Sequence, residues 1–327
     1  MNWKIFIKRN LPTFFSVGMF LTVFAFYLAN HPAGLTPNVL QTSANKGAIL
    51  AFIAMAQAVV VLTGGIDLSV GMIFVLTNCV ASYLLGGSSV EVGLGVVAVL
   101  LVGMVCGAVN GLIVVFGRLQ PIVATIATGS LFFGAALWLR PYPGTIPDFS
   151  ENLADLLTGK VFGLFPASFV LLALVLFLIW MPFKATPLGR TIYAIGSSED
   201  AAYMSGMPIR LAKFAAFVTA GLFAAIGGIF LTCVTYSGEA SLANGNNYTL
   251  FSIAAVVLGG VSLYGGTGSV VGVIFGALAF RAIGDLLFVF DLDPLWQPLF
   301  QGLVLAVAIS FGAGRLFNLR NRLELFS

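Results

Sequence analysis

Charge is what this sequence holds least of. Only 8% of its 327 residues are Asp, Glu, Lys or Arg, against roughly 25% in a soluble domain whose surface must face water. Hydrophobic residues make up 59%, so most of the outer surface must meet something apolar, and membrane lipid fits. A formal net charge of +3 is too small to point to nucleic acid, and no such partner is expected. Histidine is confined to His31, beside Pro32 after the first apolar run, which argues against a histidine proton relay. The three cysteines, Cys79, Cys106 and Cys233, lie inside apolar runs without paired spacing. Neither a disulfide framework nor a metal site is therefore expected. No G-x-x-x-x-G-K-[ST] run occurs, and Gly159–Lys160 lacks both the upstream glycine and the following Ser or Thr. With no nucleophile–base constellation either, the chain reads as a non-enzyme with no catalytic residue and no cofactor of its own.

What the sequence does hold is apolar length. A helix crossing ~30 Å of hydrocarbon needs about 20 mostly apolar residues. Runs of that kind fall near 11–29, 47–63, 69–86, 93–116, 121–139, 166–183, 213–235, 249–264, 268–290 and 296–313. The expected fold is an all-α polytopic membrane protein of about ten transmembrane helices, a single domain over 1–327. Basic residues orient it. With the N-terminus in the cytoplasm, the inner segments hold Lys4, Lys8, Arg9, Arg118, Lys184, Arg190, Arg210, Lys213, Arg315, Arg320 and Arg322. The outer segments hold Lys46, Arg140 and Lys160, and Arg281 sits within a span. An odd number of spans would leave one terminal basic cluster outside, so both termini are placed in the cytoplasm. The basic start would also suit a signal peptide, but no clear small-x-small site follows Leu28. The 38 glycines and 13 prolines are tolerable in such helices, where neighbours satisfy freed backbone groups.

The loops differ between the two faces. Outer segment 140–165 carries Asp148, Glu151 and Asp155 with prolines at 141, 143 and 147, and has room for a short helix at the membrane face. Segment 236–248 is rich in Ser, Asn and Gly and reads as a second outer loop. The long inner loop, 184–213, contains SerSerGluAspAla at 197–201. Ser198 reads as an N-cap, with Glu199 and Asp200 in the first turn of a short helix running to Met204. Gly206 then reads as its stop, with Pro208 beyond. Such a helix suits either docking to a soluble partner or lying in the interface, and the local pattern does not choose.

A glycine motif occurs twice. ValLeuThrGlyGlyIleAspLeuSerValGly covers 61–71, and ValLeuGlyGlyValSerLeuTyrGlyGlyThrGly covers 257–268. Each puts a glycine pair and then [Ile/Val]-x-Leu after Val-Leu. Gly64, Gly65, Asp67, Ser69, Gly259, Gly260 and Ser262 thereby become candidates for broken helices, whose backbone must face protein or a cavity as at transport sites. Tight hairpins with structural glycines read equally well. Among the charges at membrane depth, Arg281 and Asp285 stand i,i+4, a spacing that allows an ion pair; neutralisation is the favoured role. Asp67 can cap the next helix through Ser69 and nearby amides, or serve as the acid of an ion-coupled sugar transporter. Gln57, Thr77, Asn78, Asn110, Thr125, Thr128 and Ser130 are polar within spans, where they can meet sugar hydroxyls or stitch helices together. Gln57 and Asn78 are taken as candidate path residues.

Three stretches carry a resemblance to a known family: GlyGlyIleAspLeuSerValGly at 64–71, ThrProLeuGlyArgThrIleTyrAlaIleGlySerSerGluAspAlaAla at 186–202, and Ala254 to Gly276. Together they make the chain similar to the ribose-type permeases of bacterial ABC importers, over nearly its whole length. The resemblance implies an inner-membrane permease for a monosaccharide or related polyol, paired with a second copy or paralogue and working by alternating access. It also implies a cytoplasmic ABC ATPase, which would bind the ATP and magnesium, and a periplasmic sugar-binding protein. By that likeness 197–206 is the helix that couples to the ATPase, through Ser198, Glu199, Asp200, Tyr203 and Gly206. Where relatives commonly carry Ala or Thr after Ser-Leu, this chain has Tyr264.

Overall fold

A computed structural model describes residues 3–145, 148–296, 299–304 and 306. The chain is an all-α polytopic membrane protein. Its helices are α1 (Trp3–Asn30), α2 (Pro37–Val61), α3 (Val70–Leu84), α4 (Ser89–Gly111), α5 (Pro121–Leu139), α6 (Glu151–Thr158) and α7 (Ala167–Val175). They continue as α8 (Met181–Ala185), α9 (Pro187–Ser197), α10 (Glu199–Met204), α11 (Ile209–Thr235), α12 (Leu242–Leu258) and α13 (Val270–Val289). A π-helical turn at Leu112–Phe116 extends α4, and another at Leu176–Trp180 joins α7 to α8. Two-residue strands β1 (Lys160–Val161) and β2 (Phe165–Pro166) pair antiparallel after α6.

Among the described residues seven helical stretches are long and apolar enough to cross a membrane. They are Asn10–Asn30, Pro37–Val61, Ser89–Phe116, Pro121–Leu139, Ala167–Ala185, Ile209–Thr235 and Val270–Val289. Helices α3 and α12 are shorter, at 15 and 17 residues. The expected span 296–313 lies mostly outside the described residues.

The centre of the bundle is α2, and every residue from Gly47 to Val61 is buried. Helices α7, α11, α12 and α13 pack around it. Its sequence is apolar on all sides, which is what a helix enclosed by others requires. It begins ten residues earlier than its apolar run predicts. Thr36 accepts a hydrogen bond from the Val39 amide at 3.3 Å and Pro37 fills the first position, a start signal that outranks the polar residues following it. Lys46, expected in an outer loop, therefore lies within the helix. Gln41 and Asn45, one turn apart, both donate to the Thr158 carbonyl at 2.8 Å, holding α6 against α2.

A second correction concerns 236–248. From Leu242 this segment is the start of α12, opened by Ser241, which accepts from the Asn244 amide at 3.3 Å. Its Asn and Gly content hid the helix, yet Gly245 lets the chain pass close to Gly71 and Met72 of α3. Segment 140–165 does hold a short helix, α6, capped by Ser150.

Among the described residues the most extensive helix contact is α4 with α11. A side chain at Gly107 would strike the Phe217 carbonyl, and one at Gly221 would strike the Gly103 carbonyl. Gly103, Gly107 and Gly111 stand four apart on one face, the small-residue spacing that brings backbones together where apolar burial alone gives no preference.

Candidate functional site

Helix α10 and the two glycine motifs lie together at one face of the bundle. Helix α10 is short but closed at both ends. Ser198 accepts from the Ala201 amide at 3.3 Å, and Gly206, at φ +70°, ends it in a left-handed turn. There the amides of Gly206 and Met207 donate to the carbonyls of Tyr203 and Ala202, the bond pattern of a glycine-terminated helix. Tyr203 and Met204 stand 75% and 87% exposed. Glu199 is committed within the chain, since both its carboxylate oxygens accept from Lys213 Nζ at 2.7 Å. That bond fastens α10 to the start of α11 and leaves Asp200, also exposed, as the acid of the pair without a partner among the described residues.

Sequence reasoning missed α9, which delivers α10 to this face. Its signal was present in ThrProLeuGly: Thr186 accepts from the Gly189 amide at 3.1 Å with Pro187 at the first position. Thr191, Ile192 and Ile195 bury one face of α9.

Both glycine motifs form the same helix-ending turn. Gly64, at φ +81°, closes α2, with the Gly64 and Gly65 amides donating to Val61 and Val60 carbonyls. Gly260, at φ +78°, closes α12 through Gly260 and Val261 to Val257 and Val256. The left-handed residue is thus the first glycine of one pair and the second of the other. Aligned on their glycine pairs the two motifs are one residue out of structural step, whereas aligned on Val-Leu they match Gly64 with Gly260. The spare glycine, Gly259, instead lets α13 approach at Val273. The turns also touch: the Gly266 amide donates to the Leu62 carbonyl at 3.0 Å.

Asp67 sits beside this junction, fully buried. Its Oδ1 accepts from the Ser69 amide at 2.8 Å and the Ser69 hydroxyl at 2.6 Å. Ser69 Oγ accepts in turn from Asn110 at 2.7 Å, and Asn110 Oδ1 accepts from Thr128 at 2.6 Å. The Leu68 amide donates to Thr125 at 2.9 Å. One polar network therefore joins the α2–α3 turn to α4 and α5. Ser262 Oγ accepts from the Tyr264 amide at 3.2 Å inside the second turn, and Tyr264 itself is exposed.

The other candidates lie elsewhere. Asn78 is buried against α11, donating to Thr232 Oγ1 at 2.8 Å and the Ser237 carbonyl at 3.0 Å while accepting from the Glu239 amide at 3.0 Å. Gln57 is fully enclosed in α2, and its amide has no hydrogen-bond partner among the described residues. Arg281 and Asp285 approach to 3.3 Å, and Lys46 joins them at 3.5 Å from the same carboxylate oxygen. Two cations thus share one acid. The acid, 6% exposed, is the enclosed member, whereas Lys46 keeps 41% of its side chain exposed.

Comparison with known proteins adds the family. Residues 39–309 match the family described as "Branched-chain amino acid transport system / permease component". The ribose import permease protein RbsC of Haemophilus influenzae is 35% identical over 278 residues, 83% of each chain. RbsC of Bacillus subtilis is 33% identical over 294 residues, 90% of each chain. The autoinducer 2 import system permease protein LsrC of an Enterobacter strain is 33% identical, covering 91% of this chain and 84% of its own. No solved structure matches this chain.

Proposed function

This chain belongs to the permease-component family just described, and from that premise we propose how it works. It is a transmembrane permease subunit of an ABC sugar importer, a multi-pass protein of the bacterial inner membrane. Its substrate is a monosaccharide or related polyol, in keeping with relatives named for ribose, fructose and autoinducer 2. Residues 1–327 act as one domain with ten membrane crossings and both termini in the cytoplasm. Two observations support nine of those crossings, the seven long ones and two shorter ones, while the tenth, at 296–313, lies mostly outside the described residues. Backbone bridges Gly86 to Phe149 and Gly144 to Gly238 gather the ends of α3, α5 and α11 and the start of α12 at one face. The Leu62–Gly266 bond gathers the opposite ends of α2, α3, α12 and α13 at the other. Short as they are, α3 and α12 therefore run the full distance.

Transport needs partners that this chain does not supply: a cytoplasmic ABC ATPase holding ATP and magnesium, a periplasmic sugar-binding protein, and a second permease copy or paralogue. The observation that carries the docking role is α10, a capped helix whose Tyr203 and Met204 stand clear of the chain. ATP-driven closure of the ATPase moves α10, and the paired permeases open their central path to alternate sides. An ion-coupled mechanism through Asp67 is set aside, because relatives 33–35% identical over most of this chain are named import permeases and Asp67 Oδ1 holds the α2–α3 turn through Ser69. The test replaces Glu199 and Asp200 with Lys in the assembled importer. The expected result is loss of ATP-dependent uptake with the chain still inserted; unchanged uptake overturns the docking role.

A further inference from the structure

The glycines of α9 and of the two turns form a junction that neither the coupling helix nor the repeated motif explains alone. Gly196 lies two residues before the cap of α10. A side chain there would strike both the Gly266 amide nitrogen and the Leu62 carbonyl oxygen, the two atoms that bond the turns to each other. A side chain at Gly265 would come within 2.7 Å of the Gly64 nitrogen, 2.8 Å of the Gly196 Cα and 3.0 Å of the Leu62 oxygen. One at Gly266 would come within 2.5 Å of the Ser197 nitrogen. Three backbone segments thus meet with no side chain between them. A contact made of backbone has no rotamers through which to yield.

Hydrogen bonds and burial hold the elements around the junction. The second turn is closed by Ser262 donating to the Thr267 carbonyl at 3.1 Å and Gly265 donating to the Ser262 carbonyl at 3.0 Å. A single extended residue, Ser198, separates α9 from α10, and hydrogen bonds hold both sides of it: the Ser198 amide donates to Ala194, and the Ala202 amide to Ser198, both at 3.0 Å. Helix α9 is buried along Thr191, Ile192 and Ile195. A push on α10 therefore reaches α9, and through Gly196 reaches the end of α2, which is the bundle's centre, together with the turn between α12 and α13.

We propose that Gly196 is a positioning residue for transport: α9 and the Leu62–Gly65 and Ser262–Gly268 turns form one clasp that moves as a rigid body with α10. This rests on the docking role of α10. The importer would be assembled with its ATPase and binding protein in proteoliposomes, carrying Gly196→Ala, or Gly134→Ala as a control, since a side chain at Gly134 meets nothing within 4 Å. For Gly196→Ala we expect the ATPase to stay bound and hydrolysing while uptake falls on the order of tenfold or more, the scale of a typical coupling between sites. For Gly134→Ala we expect neither to change. Wild-type uptake in Gly196→Ala overturns the clasp and leaves docking standing. Should Gly196→Ala fail to assemble, spin labels at the exposed positions Arg190 and Tyr264 in the otherwise native chain decide. Their separation should stay fixed between the nucleotide-free and ATP-trapped states. A change beyond about 2 Å, the size of an ordinary helix shift at an interface, overturns the clasp. If the ATPase remains bound and uptake intact in the Glu199→Lys, Asp200→Lys variant, docking itself fails and the clasp falls with it.

Discussion

Replacing Asn78 with alanine separates two roles that its polarity allows. The side chain makes three hydrogen bonds, to Thr232, the Ser237 carbonyl and the Glu239 amide, and is only 2% exposed. In this geometry it is a fastener between α3 and the end of α11. A net hydrogen bond contributes about 1 kcal/mol in soluble proteins, and interhelical bonds in membranes average nearer 0.6 kcal/mol. Three of them give about 2–3 kcal/mol. Thr232 keeps its bonds to the Gly228 and Asn78 carbonyls, and the Ser237 carbonyl keeps the Thr235 hydroxyl at 3.0 Å, so the main orphan is the Glu239 amide. At ~2–4 °C per kcal/mol for a chain of this order of size, the melting temperature should fall by roughly 4–12 °C. The chain carries its own reporter. Cys79, Cys106 and Cys233 are free and buried, so a thiol-reactive dye in detergent gains signal only as the bundle opens. Asn78→Ala should melt early and retain sugar uptake at temperatures where it stays folded. A variant that melts within about 1 °C of wild type yet loses uptake would refute the fastener reading and return Asn78 to the sugar path.

Three further outcomes follow from the packing. Asp285→Ala leaves Lys46 and Arg281 facing each other without their acid; because both cations keep some exposure, the loss should be about 2–3 kcal/mol, below that for a fully buried pair. Lys46→Met, which leaves the Arg281–Asp285 bridge in place, should cost under about 1 kcal/mol, and the same melting assay compares them. Gly107→Ala forces α4 away from the Phe217 carbonyl of α11 and should cost about 1–3 kcal/mol, as overpacking does, whereas Gly93→Ala, which meets nothing within 4 Å, should melt like the parent. Tyr264→Ala removes an exposed ring from the α12–α13 turn and should leave the melting temperature unchanged; a drop of several degrees would show that the ring packs.

Much of this was legible in the sequence wherever one local pattern decided the structure. Ser198, Gly206 and Pro208 spelled out α10 because capping is a matter of a few neighbouring residues. The i,i+4 spacing placed Arg281 beside Asp285 for the same reason. What could not be read was contact between distant segments. Lys46 as a second partner for Asp285 depends on where α2 begins, and the Thr36–Pro37 start was outweighed by the polar residues between it and the apolar run. The glycine pairs were visible, but their use was not. Which glycine turns left-handed and which admits a neighbour depends on α13 and α9, far along the chain. Gly103, Gly107 and Gly111 showed the four-residue spacing of a close helix contact, a signal passed over among so many glycines.

The enclosure of α2 bears on how the protein is made. From Gly47 to Val61 no residue faces outward in the finished bundle, so every lipid contact this helix makes while the chain is incomplete is later replaced by protein. Among the described residues its covering is finished by α13, which begins at Val270, 209 residues after α2 ends at Val61. At bacterial elongation rates of ~5–20 residues per second, α2 waits roughly ten to forty seconds with Lys46, Asn45 and Gln57 not yet in their final surroundings. Apolar on all sides, α2 can rest in lipid for that interval, and the later helices must displace that lipid as they pack. Ribosome-stalled chains ending before residue 270 should therefore expose α2 to a lipid-borne photo-cross-linker, and chains ending after α13 should not.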